Sequence, residues 1–423
     1  MSDGPRDTEP LFGDIPPELR LTRALQLPPP LAEAELAARL LDLAAPNTHL
    51  DEAISFLGGG AYDHYVPAIV DAIAGAVGHS PVTPASPQPI LQAVFELQAA
   101  TAALTGLELA AAPFPDGPAA LAEAVGMAAR ATGRTEALVA RSVHPRYRAI
   151  ARTLLAPALT LCEVGYHGGL TRSSDLAAAL SDRAACIVVQ QPNYFGCLED
   201  LPALAALARE RGALVVALAD PIALGVLSSP GTMGADLAVA DAQPLGSRPA
   251  YGSGSLGLLA FRADLAPALV GWRVERCGHA FSAVGQPSQC VHADRLVRPL
   301  AYLAAVGGEG LARAATLSLR MARETQRAIT SLEGFALRFR APFFKEFAIE
   351  CDADPQHVAG GLLESNILGA LPLQPDYPEM EGCALFAATE RRSRSDIEML
   401  RHTLEFLGEV GESEDFSLDA DDG

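Results

Sequence analysis

Lysine is almost missing from this chain. Of its 31 Lys and Arg residues, only Lys345 is a lysine. A mutational bias toward arginine accounts for such a count, but the chemical consequence stands. A guanidinium stays protonated, so arginine cannot condense with a carbonyl as an amine can. Long apolar runs are also missing: no stretch reaches the roughly 18 residues that a membrane-spanning helix needs. Positive charge is scarce, and the formal net charge is −20. Such a surface repels a phosphate backbone, which argues against nucleic acid as a partner. The seven cysteines are odd in number and form no CxxC pair. That argues against a disulfide framework or a zinc site, and they read as small hydrophobes in or near strands. The opening "MSDGPRDTEPLFGDIPPELR" has neither the basic flank nor the apolar stretch of a signal peptide. A cytoplasmic protein is expected.

What is present is core-forming material. Hydrophobic residues make up 49% of 423, enough for two or three domains sharing a large core. Residues 1–109 read as an N-terminal helical arm and interface segment, with the Gly-rich turn "SFLGGGAYDHYVP" between helical stretches. From 110 to 290 the pattern changes. "EALVARSVHP", "ALTLCEVGY", "AACIVVQQPN", "ALVVALADP", "ADLAVADAQ" and "LGLLAF" are short Val/Leu/Ala runs, mostly separated by helix-like stretches. That alternation predicts an α/β domain on a largely parallel sheet covered on both faces. Residues 291–410 read as a small α+β domain, and 411–423 as an acidic, disordered tail.

Ligands of such sheets bind at the carboxyl ends of the strands, where Asp116, Gln191-Pro192-Asn193, Asp220 and Gln243 fall. Asp220 ends an apolar strand, and a buried carboxylate needs a partner. It either caps the next turn or faces a cationic ring nitrogen. Asp116-Gly117-Pro118 enters a helix whose free N–H groups could hold phosphate, although an Asp there caps the helix itself. "YGSGSLG" at 251–257 reads as a tight turn ahead of a strand. His64, His144 and His167 lie in turns, as catalytic groups or as satisfied loop histidines. Tyr62, Asp63, His64 and Tyr65, following three glycines, form the best local candidate for the edge of a site. Lys345, in "APFFKEFAIE", is expected to point to solvent from a strand.

Several blocks closely resemble subunit 1 of the glycine cleavage P-protein, the two-subunit bacterial glycine dehydrogenase (decarboxylating). They include "APNTHLDEAISFLGGGAYDHYVPAIVDAI", "DGPAALAEAVGMAAR", "VVQQPNYFGCLEDL", "DPIALGVLSSPGTMGADLAVADAQPLG" and "CALFAATERRSRSDIEMLR". They occur in family order over nearly the whole chain. The resemblance implies the aspartate-aminotransferase-like fold (fold type I) of enzymes that use pyridoxal phosphate (PLP). It implies that Gln243 stands where the Schiff-base lysine would be and Asp220 where the pyridine partner would be, so that this chain alone holds no catalytic residue. Asp116, Gly117, Asn193, Asp220 and Gln243 would line a vestigial cofactor pocket, and Tyr62 to Tyr65 a shared site.

PLP would sit on a lysine-bearing subunit 2, the pair forming a heterotetramer. Glycine would be decarboxylated there and its aminomethyl group passed to the lipoyl arm of the H-protein. The family's tyrosine-rich loop is replaced here by "GHSPVTPASPQP". That change motivates two alternatives: a repurposed paralogue whose complex acts on another amino acid, and a non-catalytic scaffold or pseudoenzyme.

Overall fold

A computed structural model describes residues 12–21, 23–249, 255–286 and 290–415, the last few as backbone only. The first part of "YGSGSLG", the start of the chain and the tail beyond 415 lie outside these residues. The chain divides into two units, 1–49 and 50–423. In the first, helix α1 (Glu33–Ala44) begins where the Glu35 carboxylate accepts the Ala32 N–H, and it buries none of its residues.

The second unit is built around a seven-stranded sheet. In chain order its strands are β1 (Leu109–Ala110), β2 (Glu136–Ala140), β3 (Thr160–Val164), β4 (Ala184–Gln191), β5 (Leu214–Ala219), β6 (Leu237–Asp241) and β7 (Gly257–Phe261). The spatial order is β1-β7-β6-β5-β4-β2-β3. Only β7 runs against its neighbours, so the sheet is mixed. Strands of this kind are buried on both faces, which is why they read as continuous apolar runs rather than alternating ones. Along β4, Cys186 and Val188 pack on one side with Leu121 and Val125 of helix α4 (Gly117–Thr132). Ile187 and Val189 pack on the other side with Leu176, Leu204 and Ala205.

Ahead of α4, helices α2 (Ala68–Val77) and α3 (Gln88–Thr105) flank the Pro-rich loop. A long helix, Ala293–Ile329, follows the sheet and loses helical geometry at Gly307 (φ 61°), the Gly-rich joint expected from sequence. It leads into a four-stranded antiparallel sheet with β8 (Phe335–Leu337), β9 (Glu346–Cys351), β10 (Leu371–Pro372) and β11 (Cys383–Ala387), in the order β8-β9-β11-β10. Phe347, Ile349 and Phe386 of this sheet pack with Leu362, Leu400 and Leu404 of the helices Pro355–Glu364 and Arg394–Asp415. That last helix extends into the segment expected to be a tail. No helix of the described residues is long and apolar enough to cross a membrane.

Candidate functional site

The carboxyl ends of β5 and β6 open into a cleft walled by Tyr62, His144, Tyr147, Asp220, Asp241, Lys345 and Glu346 among others. Its walls come from the ends of β4, β5 and β6, the loop 58–65, the turn at His144 to Tyr147 and the entry to β9. The loop can come this close because it begins with glycines. A Cβ at Gly58 would collide with the Glu346 carboxylate, and Gly59 and Gly60 have φ of +73° and +97°, a region costly for other residues.

Lys345 does not point to solvent. It is 2% exposed, and its ammonium lies 2.6 Å from Asp220 Oδ2. It also donates to His64 Nε2 at 2.9 Å and sits 3.4 Å from the centre of the Tyr62 ring. Sequence reasoning placed this residue outside because it enters the cleft from the smaller sheet, and nothing local in "PFFKEF" signals a partner so far along the chain. The other Asp220 oxygen accepts the N–H groups of Ile222 and Ala223. Asp220 therefore caps the turn, the first sequence alternative, and the cation it faces is the Lys345 ammonium rather than a ring nitrogen. Burial pushes the Asp220 carboxyl up, but the Lys345 ammonium holds it below the usual carboxylate range.

Glu346, beside Lys345, accepts the Tyr62 hydroxyl at 2.7 Å and the Gly59 N–H at 2.5 Å. Burial dominates here and raises its carboxyl to about 7. On the far side of His64, Nδ1 donates to Glu390 at 2.7 Å, and Glu390 also accepts the Tyr65 N–H. Burial opposes ionisation of Glu390, yet its pairing with His64 brings it down to about 2.

At the start of α4, Asp116 caps the helix by accepting the Ala119 N–H at 2.8 Å. The Gly117 N–H donates to Asp241 Oδ2 at 3.1 Å. Asp241 also accepts the Ser255 hydroxyl, the Gln243 N–H and the Tyr147 hydroxyl. A Cβ at Gly117 would strike that tyrosine hydroxyl. Asp241 was missed in the sequence, although "VADAQ" ends its strand with an acid just as "ALADP" does.

The other nominated residues sort clearly. Gln243 is buried; its side-chain amide accepts the Tyr62 N–H and donates to the Tyr62 and Ser247 carbonyls. Asp63 pairs with Arg391 and Arg392. Asn193 is buried in its own turn, bonded to Gly169, Glu199, Phe195 and Cys197. Tyr65 is 61% exposed. His144 is a satisfied loop histidine, donating to the Gly59 carbonyl and accepting from the Arg146 N–H, while burial lowers its pKa. His167 pairs with Asp175 near the surface. The strongest cluster is therefore the set of residues around Lys345.

Tested against PLP, these residues do not fit. The Asp220 oxygen facing the cleft is taken by Lys345, and the first free N–H of α4 is taken by Asp241. The fold is nonetheless fold type I. Sphingosine-1-phosphate lyase of Burkholderia pseudomallei superposes with a TM-score of 0.71 at 16% identity, over 97% of this chain and all of the lyase.

Within that class the family is well defined. The model of the glycine cleavage system P-protein family matches residues 4–278, and this chain belongs to that family. It is 38% identical to a probable glycine dehydrogenase (decarboxylating) subunit 1 of Desulforamulus reducens, over 93% of this chain and 94% of that one. The protein of the same description from Geobacillus kaustophilus is 35% identical, with 95% and 93% covered. A crystal structure of glycine decarboxylase (P-protein) in inhibitor-bound form matches with a TM-score of 0.87 at 37% identity, covering 95% of each chain.

Proposed function

We propose that this chain is subunit 1 of a glycine dehydrogenase (decarboxylating) and works beside a lysine-bearing subunit 2 that holds PLP. On that partner glycine is decarboxylated, and the aminomethyl group passes to the lipoyl arm of the H-protein. The observation that carries the reading is similarity to subunit 1 proteins over nearly the whole chain; the resemblance that puts Gln243 at the amine position supports it. This chain's own contribution is a wall. Glu346, Gln243, Lys345 and Glu390 fasten the loop 58–65, leaving Tyr65 outward as the residue available to a shared site. Orientation is the contribution most exposed to small errors, since a misplacement of about 1 Å can cost about a hundredfold in rate. A cytoplasmic location and assembly as a heterotetramer belong to the same reading.

The test is co-expression with a lysine-bearing subunit 2 and an assay of labelled carbon dioxide exchange into glycine. The pair is expected to be active and this chain alone inactive. The shortened loop "GHSPVTPASPQP" favours a second reading, in which the complex handles another amino acid. A pair inactive on glycine but active on a different amino acid would select it.

A further inference from the structure

We propose that this chain fills its cofactor cradle with its own side chains. The Lys345 ammonium takes the place of a ring cation on Asp220, the Asp241 carboxylate takes the place of a phosphate at the start of α4, and the cleft fastens the 58–65 loop instead of binding PLP. The inference rests on reading this chain as the PLP-free member of a pair, and it adds what occupies the site.

An ammonium has three N–H donors, and here each has a partner. Asp220 Oδ2 lies at 2.6 Å, His64 Nε2 at 2.9 Å and the Tyr62 ring face at 3.4 Å. A ring face is a favourable third partner because its π cloud is negative. With its other oxygen on the Ile222 and Ala223 N–H groups, Asp220 keeps room for a further donor only on the oxygen that already holds the Lys345 ammonium, where a second cation meets like charge.

The anion end is equally complete. A helix start offers N–H groups to a phosphate, yet Asp241 already collects the Gly117 N–H, the Gln243 N–H and the Ser255 hydroxyl. A phosphate brought there meets a buried carboxylate of like charge. Between the two ends, the Gln243 amide spans Tyr62 and Ser247, and the one amine in the cleft, that of Lys345, is held by Asp220 and His64. The result is a ligand-independent clamp: β5, the small sheet and the loop are joined through Lys345, the only ε-amine in the chain.

That singularity makes the test direct. In the purified full-length chain, acetic anhydride is expected to modify the N-terminus but to reach Lys345 only after denaturation. Lysine labelled with nitrogen-15 at Nζ is expected to give one ammonium signal protected from solvent exchange and shifted by Asp220→Asn. Pyridoxal phosphate added to the wild-type chain is expected to show no saturable binding and no adduct after borohydride. The Lys345→Ala/Asp241→Ser double variant is expected to gain saturable, non-covalent binding.

Saturable binding to the wild type, acetylation of Lys345 in the folded chain as fast as in the unfolded one, or a folded double variant that binds nothing would each overturn the proposal. If the double variant does not fold, acetylation of the wild type decides. These outcomes are separable from the functional reading, which stands or falls on the activity of the co-expressed pair.

Discussion

Glu346 and Glu390 flank the Lys345–His64 contact and respond to pH in opposite senses. Glu346 is raised from 4.5 to about 7 by burial. The folded state therefore holds its proton more tightly than the unfolded chain does. Its stabilising contribution is complete below about 4.5 and is lost as pH rises through about 7. Glu390 is lowered from 4.5 to about 2, so its contribution is present above 4.5 and is lost as pH falls through about 2. Glu346→Gln removes the first loss but not the second. At about 1.4 kcal/mol per pKa unit, the variant should gain up to roughly 3 kcal/mol on the wild type at alkaline pH and little under acid conditions. Urea unfolding at either pH measures it, and an equal effect at both would sink the assignment.

Lys345 gives the second prediction at this scale. Breaking a buried pair by removing one partner typically costs about 3–5 kcal/mol, because the other charge is left unpaired. Lys345→Met should fall in that range, and Lys345→Met/Asp220→Asn should recover part of the loss. A double-mutant cycle reads the coupling, and additive losses would show that the two groups do not interact.

The elements were more legible than the contacts between them. Each of the six apolar runs named from 136 to 261 contains a strand; in all but the edge strand β3, burial on both faces leaves an unbroken apolar signature. The joint near Gly307 was also visible, since glycines interrupt an otherwise helical pattern. The reversal of β7 was not visible: direction depends on the connection after β6, and composition does not record it.

At the site, Tyr62 and Asp220 were legible because a polar residue amid glycines and an acid closing an apolar strand are both local signals. Lys345, Glu346 and Glu390 were not legible. Each gains its role from a neighbour on another element, and tertiary pairing leaves no trace in spacing. The start of α4 separates two kinds of acid at one helix end. Asp116→Ala removes an ordinary cap and should cost about 1 kcal/mol. Asp241→Ala strands the Gly117 and Gln243 N–H groups and the Ser255 hydroxyl, at about 1–3 kcal/mol for each buried group left without a partner. Thermal unfolding should rank Asp241→Ala clearly below Asp116→Ala, and the reverse order would mean that Asp241 is not the acceptor described.

On the scale of the whole molecule, the two units differ in what holds them. Every buried hydrophobic residue described lies in 50–423, from Ala53 onward, and α1 contributes none. Leu36, Leu40 and Leu43 of α1 are exposed and spaced so that they share one helix face. A helix of this length is marginal in water without packing, so its leucines belong against another surface. Under the proposed function that surface is offered by the second subunit.

Deletion of residues 1–49 should therefore leave the melting temperature of the remaining chain within a few degrees of the full chain, since the described residues of that unit include no buried hydrophobic. The same deletion should weaken co-purification with subunit 2, as should Leu36→Glu/Leu40→Glu in the full chain. Size-exclusion chromatography of the co-expressed pair measures the second effect and calorimetry of the single chain the first. If the truncated chain unfolds, the arm is part of this chain's own core. If it stays folded and pairs at full strength, the exposed leucines serve some other contact, and the pairing surface must be sought on 50–423.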